Sequence, residues 1–359
     1  MDTWTTHGLP VRVHPFVTAL CAVAFLAVTG CGAGSTASLR DSGSGAGVTV
    51  YTADGLGEWY TAKFAEFERK TGIKVAPPVK AGSGEIVDRL QRERSAPTAD
   101  VLITLPPFVQ RAAESDLLAE YSVPGREFVP EGLRDPRQRF TAVLDNFFCL
   151  VYNTRQATPP PNGWSDLLDP RYKGKLQYST PGQAGDGTAM LLLLQHVLGP
   201  QGARDYLAKL ESSNAGPIGA TSPLQPKVNN GDLLVANSDT QLSLAAISTI
   251  SPETMLFFPA GPDGKKATMS IPHFAGLVKG APHAAAGRRL LEFLLSEEVQ
   301  RTATEAYAHP VRIDVPGDGV AVEQLDHLLV GVDVWRPDWT AILAALAADV
   351  AAYRKAVGR

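Results

Sequence analysis

Along the first third of the chain, short apolar runs alternate with stretches in which apolar residues return every three to four positions. "VTVYTA" (Val48 to Ala53) reads as a strand. Leu56, Tyr60, Phe64 and Phe67 then share one helical stripe, with Asp54 placed to cap the helix and Gly72 to end it. "IKVAPPVKA" is a second strand whose prolines suit an edge or a bend. "GSGEIVDRLQRERS" starts a second helix at Ser83, and "ADVLITL" (Ala99 to Leu105) is a third strand, apolar throughout. This alternation predicts a parallel sheet with helices on both faces, and ligands of such sheets sit beyond the carboxyl ends of the strands. Three loops open there, beginning at Thr52, Ala81 and Thr104.

The pattern then repeats with other lengths. "LDNFFCLVYN" (Leu144 to Asn153) is a hydrophobic strand able to carry the chain into a second lobe. Trp164 to Leu176 reads as a helix and turn. A helix over Asp186 to His196 ends at Gly199, and "GARDYLAKLESSN" is another. Leu233 to Ile247 is strand, loop and helix; "MLFFPAG" and "FAGLVKGA" are further strands. Helices near Ala285 to Leu295 and Trp339 to Ala356 close the chain. The expected class is α/β in two lobes with more than one crossover.

Between strand and helix lies "QYSTPGQAGDGTAMLLLLQH" (Gln177 to His196). Gly182, Gly185 and Gly187 let backbone approach a ligand closely. The N–H groups of Gly187, Thr188 and Ala189 open a helix whose dipole favours an anion, and Thr180 and Thr188 add hydroxyls. Ser83-Gly84-Glu85 offers a similar start in the first lobe. The loop lacks the glycine, lysine and hydroxyl spacing of a P-loop, which argues against nucleotide hydrolysis. Asp54, Glu85, Asp186 and Asp239 all fall on these loops, as helix caps or as partners for a ligand's cation. Tyr51, Trp59 and Tyr152 are core residues or walls against an alkyl spacer.

Composition narrows the classes. The chain has 359 residues and a formal net charge of -4, which argues against nucleic acid as a partner. His196, His273, His283, His309 and His327 do not fall at metal-ligand spacing, and no serine sits in a nucleophile elbow. No metal, cofactor or catalytic residue is therefore expected. Phe16 to Val28 is an apolar core of signal-peptide length, followed by Val28-Thr29-Gly30-Cys31, which resembles a bacterial lipobox. Gly32 to Gly47 has the Gly/Ser composition of a tether. The expectation is a lipid on Cys31 and an extracytoplasmic protein held at the cell membrane. Only Cys149 then remains in the folded part, where its apolar neighbours read as core.

Several longer stretches carry a resemblance: "VYTADGLGEWY", "AGSGEIVDRL", "ADVLITLPPFVQ", "LLDPRYKGKLQYSTPGQAGDGTAMLLLLQHVLG", "LQPKVNNGDLLVANSDTQ" and "GLVKGAPHAAAGRRLLEFLLS". They resemble the extracytoplasmic solute-binding proteins of bacterial ABC importers, in the 2-aminoethylphosphonate-binding subfamily. The resemblance runs from Val48 to about Gln300, with "LQYSTPGQAGDGTA" its most specific piece. It implies a periplasmic-binding-protein-like type II fold with a hinge between the lobes. It also implies a monomer that performs no chemistry and closes over 2-aminoethylphosphonate, or a similar small phosphonate, for an ABC permease with its ATPase.

The expected organisation is a signal peptide over 1–30, a tether over 31–47 and lobe 1 over 48–145. Lobe 2 follows over 146–250, then a return to lobe 1 over 251–300 and a C-terminal helical segment, mainly lobe 2, over 301–359. Ser83, Gly84, Thr180, Gly187 and Thr188 are assigned to the phosphonate oxygens, with Thr52 and Thr104 beside them on strand-end loops. Asp54, Glu85 and Asp239 are assigned to the ammonium, and Tyr152 and Trp59 to the walls. Asp145-Asn146 and Asn237-Ser238 are the hinge candidates. The family is related to ferric-ion binding proteins, so an iron or other inorganic-ion cargo stays open, as does, less strongly, an enzyme on the same fold.

Overall fold

A computed structural model describes residues 47–249, 253–317 and 319–359. The signal segment, the tether and Cys31 lie outside the described residues. The first lobe is built on β1 (Val50–Ala53), α1 (Glu58–Thr71), β2 (Val79–Ala81), α2 (Ser83–Arg92), β3 (Val101–Thr104), α3 (Phe108–Glu114) and β4 (Thr141–Asp145). The chain then enters β5 (Phe148–Asn153), β6 (Leu176–Gln177), α4 (Gly185–Glu211), α5 (Leu224–Asn229), β7 (Val235–Asp239), α6 (Thr240–Thr249) and β8 (Thr254–Phe257). It continues through β9 (Lys266–Met269), β10 (His273–Leu277), α7 (Ala284–Leu295), α8 (Glu297–Gln300), β11 (His309–Pro310), α9 (Val320–Leu329), β12 (Val332–Trp335) and α10 (Trp339–Ala356).

One sheet has the order β11-β4-β10-β3-β1-β2, a second has β6-β7-β5-β8, and β12 pairs with β9. The expected parallel arrangement holds for β1, β2 and β3. The sheet as a whole is mixed, because β10 runs antiparallel to both β3 and β4. These are the two lobes of a type II periplasmic-binding fold.

Local chemistry explains the element boundaries. Gly72 ends α1 in the left-handed region at φ 72°, its N–H returning to Glu68 O, a conformation glycine adopts without a Cβ penalty. Helix α4 breaks at Gly199 (φ 72°, ψ 161°) just before Pro200, which cannot donate to the helical ladder. Met190, Leu191, Leu192, Leu193 and Leu194 are all buried, so the first turns of this helix are apolar around their whole circumference and form the centre of the lobe, while His196, Gln201, Asp205 and Lys209 further on are exposed. Helix α10 starts on Asp338, whose carboxylate accepts from Thr340 N–H and Ala341 N–H, and it packs chiefly on α4. Cys149 is buried, and burial pushes its thiol up, as expected of a core residue.

Two expected boundaries shift. The apolar run Leu144 to Asn153 is not one strand: Asn146 and Phe147 separate β4 in one sheet from β5 in the other. This is one crossing, at the expected Asp145-Asn146. The other is not at Asn237-Ser238, which lies inside β7 and pairs in register with Leu150 and Cys149. The second crossing runs from β9 to β10, through Ser270–Pro272, because β8 still pairs with β5. The return to the first sheet therefore begins near 270, not 251. The C-terminal segment also divides: β11 pairs with β4 in the first lobe.

Candidate functional site

The crossings turn the carboxyl ends of the parallel strands of both sheets toward each other. Thr52 near the end of β1, Ser83 at the first turn of α2 and Thr104 at the end of β3 all point buried hydroxyls that have no partner in the protein. From the second lobe come Thr180 Oγ1, Asp186 Oδ1 at the first turn of α4, and both amide atoms of Gln241 at the first turn of α6. Seven of the eleven unpartnered buried side-chain atoms among the described residues belong to these six residues. Each such group costs about 1–3 kcal/mol if left unmade. A concentration of them at facing strand ends is the signature of a polar ligand site rather than of packing error.

The lobes also touch directly. Asp54 Oδ2 accepts from Thr221 N–H at 2.6 Å and Ser222 N–H at 2.7 Å. Gly84 N–H donates to Gln183 O at 2.7 Å. A Cβ at Gly185 would lie 2.4 Å from Leu105 Cδ1 and 2.7 Å from Ser83 Oγ, so only glycine permits this approach. Gln241 reaches across as well: a Cβ at Gly57 would lie 3.6 Å from its amide carbon.

Three carboxylates share the site. Burial raises Asp54 above the usual carboxylate range, opposed by its bonds to Ser222 and Thr221. Burial, then the charges of Asp239 and Asp54, hold Asp186 well above that range. Burial pushes Asp239 up to about 6, opposed by hydrogen bonds from Asn146 and from Leu242 N–H. The largest influences on all three are burial, one another and neutral donors, not a lysine or arginine.

Asn146 ties this site to the crossing it occupies and to the one at residues 270–272. Its Oδ1 accepts from Phe147 N–H, Thr240 Oγ1 and Gln241 N–H at 2.9, 2.7 and 3.2 Å. With that oxygen taken up by donors, the amide nitrogen must face His273 Nε2, 3.4 Å away on the second crossing. His273 Nδ1 meets Tyr60 OH at 3.2 Å. Burial depresses the imidazole to about 4, so it is neutral: Asn146 donates to Nε2, and Nδ1–H donates to the tyrosine oxygen.

Several expected contacts fall elsewhere. Asp54 does not cap α1, whose N-cap is Gly57; its carboxylate is spent on the opposite lobe. Gly84 gives its N–H to Gln183 O rather than to an anion. Glu85 is exposed, its carboxylate beside Gly219 of the other lobe, where a Cβ would lie 3.9 Å from Oε2. Thr188 Oγ1 accepts from Gly182 N–H and donates to Ala184 O, bracing the loop from within. Gly187 serves packing, since a Cβ there would lie 2.0 Å from Ser179 O. Tyr152 sits at the far end of β5 with its hydroxyl on Met255 Sδ, and the Trp59 indole donates to Thr302 O. Tyr51 places its hydroxyl between Glu93 and Thr98, on the segment that leads from α2 into the start of β3. Thr52, Ser83, Thr104, Thr180 and Asp239 stand at the cleft. Gln241 and the Thr221-Ser222 turn were not expected there, and Asn146 was expected as a hinge rather than as part of the site; Gln241, one step beyond the loop that carries Asp239, had a sequence signal.

Residues 96–238 match the family described as bacterial extracellular solute-binding protein. The chain is 40% identical over 314 residues to a Salmonella paratyphi A protein named "Putative 2-aminoethylphosphonate-binding periplasmic protein", covering 86% of this chain and 91% of that one. The chain belongs to the bacterial extracellular solute-binding proteins. Like its family, this binding protein is a transport component and not an enzyme. It is also 26% identical over 254 residues to iron uptake protein A2 of Synechocystis, covering 67% of this chain and 73% of that one. A ferric binding protein from Campylobacter jejuni superposes with a TM-score of 0.68 at 22% identity, over 86% of this chain and 99% of that one, which establishes the shared fold. In this binding protein the Tyr178 hydroxyl donates to Glu211 and meets the Tyr353 hydroxyl at 3.3 Å, away from the cleft. Among the described residues no group of three His, Cys, Asp or Glu side chains is placed to hold a metal ion.

Proposed function

We propose that the cleft captures 2-aminoethylphosphonate, or a similarly small aminophosphonate, and that the closed protein hands it to an ABC permease with its ATPase. The observation that carries this reading is the set of unpartnered buried atoms on Thr52, Ser83, Thr104, Thr180, Asp186 and Gln241. Hydroxyls and an amide donor suit phosphonate oxygens, and helix starts at Ser83, Gly185 and Thr240 reinforce them. The carboxylates around them, with no cation as a leading influence, suit a ligand that brings its own ammonium. The name of the Salmonella relative supports the same class. Binding shifts an open–closed equilibrium, with Asn146 and the Ser270–Pro272 segment at the crossings. The protein works as a monomer held at the outer face of the membrane through Cys31.

Calorimetry with 2-aminoethylphosphonate, ethylphosphonate, phosphate and ferric citrate tests it. The aminophosphonate should bind tightest. Tightest binding of ferric citrate would replace this reading with an iron cargo, the reading carried by the cyanobacterial relative.

A further inference from the structure

The three cleft carboxylates are not equivalent, and their hydrogen bonds separate them. Asp54 uses its Oδ2 on the backbone of Thr221 and Ser222, where it joins lobe to lobe. Asp239 uses Oδ1 on Leu242 N–H, three residues on, as the cap of α6. Asp186 alone keeps an oxygen, Oδ1, that is buried and without a partner, while Thr221 supplies a side-chain hydrogen bond to the group. The residue is 2% exposed. It follows Gly185, the position at which Ser83 Oγ and Leu105 of the other lobe come closest, so it stands where the lobes meet.

We propose that Asp186 is the side chain that recognises the cationic end of the ligand, and that it thereby sets the preference for an amine-bearing phosphonate over an uncharged-tail analogue. This rests on the aminophosphonate reading of the cleft. An ammonium beside Oδ1 supplies the missing hydrogen bond and offsets the charge that Asp239 and Asp54 place on the same spot. The groups that act on Asp186 are those two carboxyls and the Thr221 hydroxyl; Cys149 also lies within electrostatic reach. Burial and those neighbours hold the carboxyl toward its protonated form. Arrival of the ammonium reverses the balance: the carboxyl gives its proton to the buffer, and a carboxylate–ammonium pair remains.

The test compares the wild type with Asp186→Asn, using 2-aminoethylphosphonate and ethylphosphonate in two buffers of different protonation enthalpy. The wild type should prefer the amine-bearing ligand by roughly 30-fold or more, the scale of a buried charge pair. In Asp186→Asn the ratio should collapse to within about threefold. Measured above the second ionisation of both phosphonates, the wild type should also release more protons with the amine than without it, a measurement that stands even if the variant fails to fold. A preserved ratio in a folded variant, or equal proton release with both ligands, overturns the role of Asp186 and leaves the aminophosphonate reading intact. Binding of neither ligand by the wild type overturns that reading, and the inference with it.

Discussion

The carboxylate of Asp54, on the loop after β1, accepts the backbone N–H of Thr221 at 2.6 Å from the opposite lobe. A residue placed by sequence as a helix cap or a partner for the ammonium is thus a latch between lobes, and Ser222 N–H doubles it. Charge-assisted bonds of this kind contribute about 1.5–3 kcal/mol. Asp54→Ala should weaken every ligand alike, by roughly tenfold to hundredfold, without changing their rank. Calorimetry across the ligand series checks it, and a change of rank would make Asp54 a ligand contact.

Thr180 and Thr188 should part company. Removing the Thr188 hydroxyl deprives Gly182 N–H of its acceptor, so Thr188→Ala should lower stability by about 1–2 kcal/mol in urea unfolding. The Thr180 hydroxyl has no partner, so Thr180→Ala should cost affinity while stability holds or rises. Equal losses of stability in the two variants would contradict the assignment.

The cleft should also make the empty protein sensitive to pH. Burial raises Asp239 from an ordinary 3.8 to about 6, so the folded state keeps a proton that the unfolded chain has already lost. The resulting stability is fully present below about 4 and is lost as pH rises toward 6, on the order of 3 kcal/mol. Thermal unfolding from pH 4 to 7 should show this fall in the wild type and a flatter profile in Asp239→Asn.

Asn146→Ala should unfold more easily by about 2–4 kcal/mol, because three donors lose one oxygen. Urea midpoints test this. A loss under about 1 kcal/mol would mean that water or a shifted Thr240 takes over the role.

Cys31→Ala should move the protein from the membrane fraction to the soluble one, since stable anchoring needs the acyl chains that a modified cysteine provides. Cell fractionation decides it; retention at the membrane would remove the lipid anchor.

Much of the first lobe was legible because its signals are local. The stripe of Leu56, Tyr60, Phe64 and Phe67, the stop at Gly72 and the strand at Val101–Thr104 need only neighbours in sequence to be read. The crossing at Asp145-Asn146 was legible as a place, but not the split of Leu144 to Asn153 into two strands, nor the partners of Asn146, because the run is apolar across both sheets and Thr240 and His273 lie far along the chain. The strand-end hydroxyls were legible because topology fixes where strand ends go. Asp54, Gly84 and Thr188 were misread for a shared reason: a carboxylate, an N–H or a hydroxyl at a helix start looks the same whether it meets a ligand, its own loop or the other lobe. Only the partner's position in space tells these apart.

The backbone contact between Gly84 N–H and Gln183 O, with glycine on both sides of the seam, has a consequence for transport. Main chain meets main chain there, so the separation of the shut lobes is set by the protein and not by its cargo. A ligand small enough to fit leaves that seam sealed, whereas one an ångström too long holds it apart and breaks the bond. Any permease that senses the outer shape of the shut protein would therefore receive a yes-or-no signal about cargo size without touching the cargo.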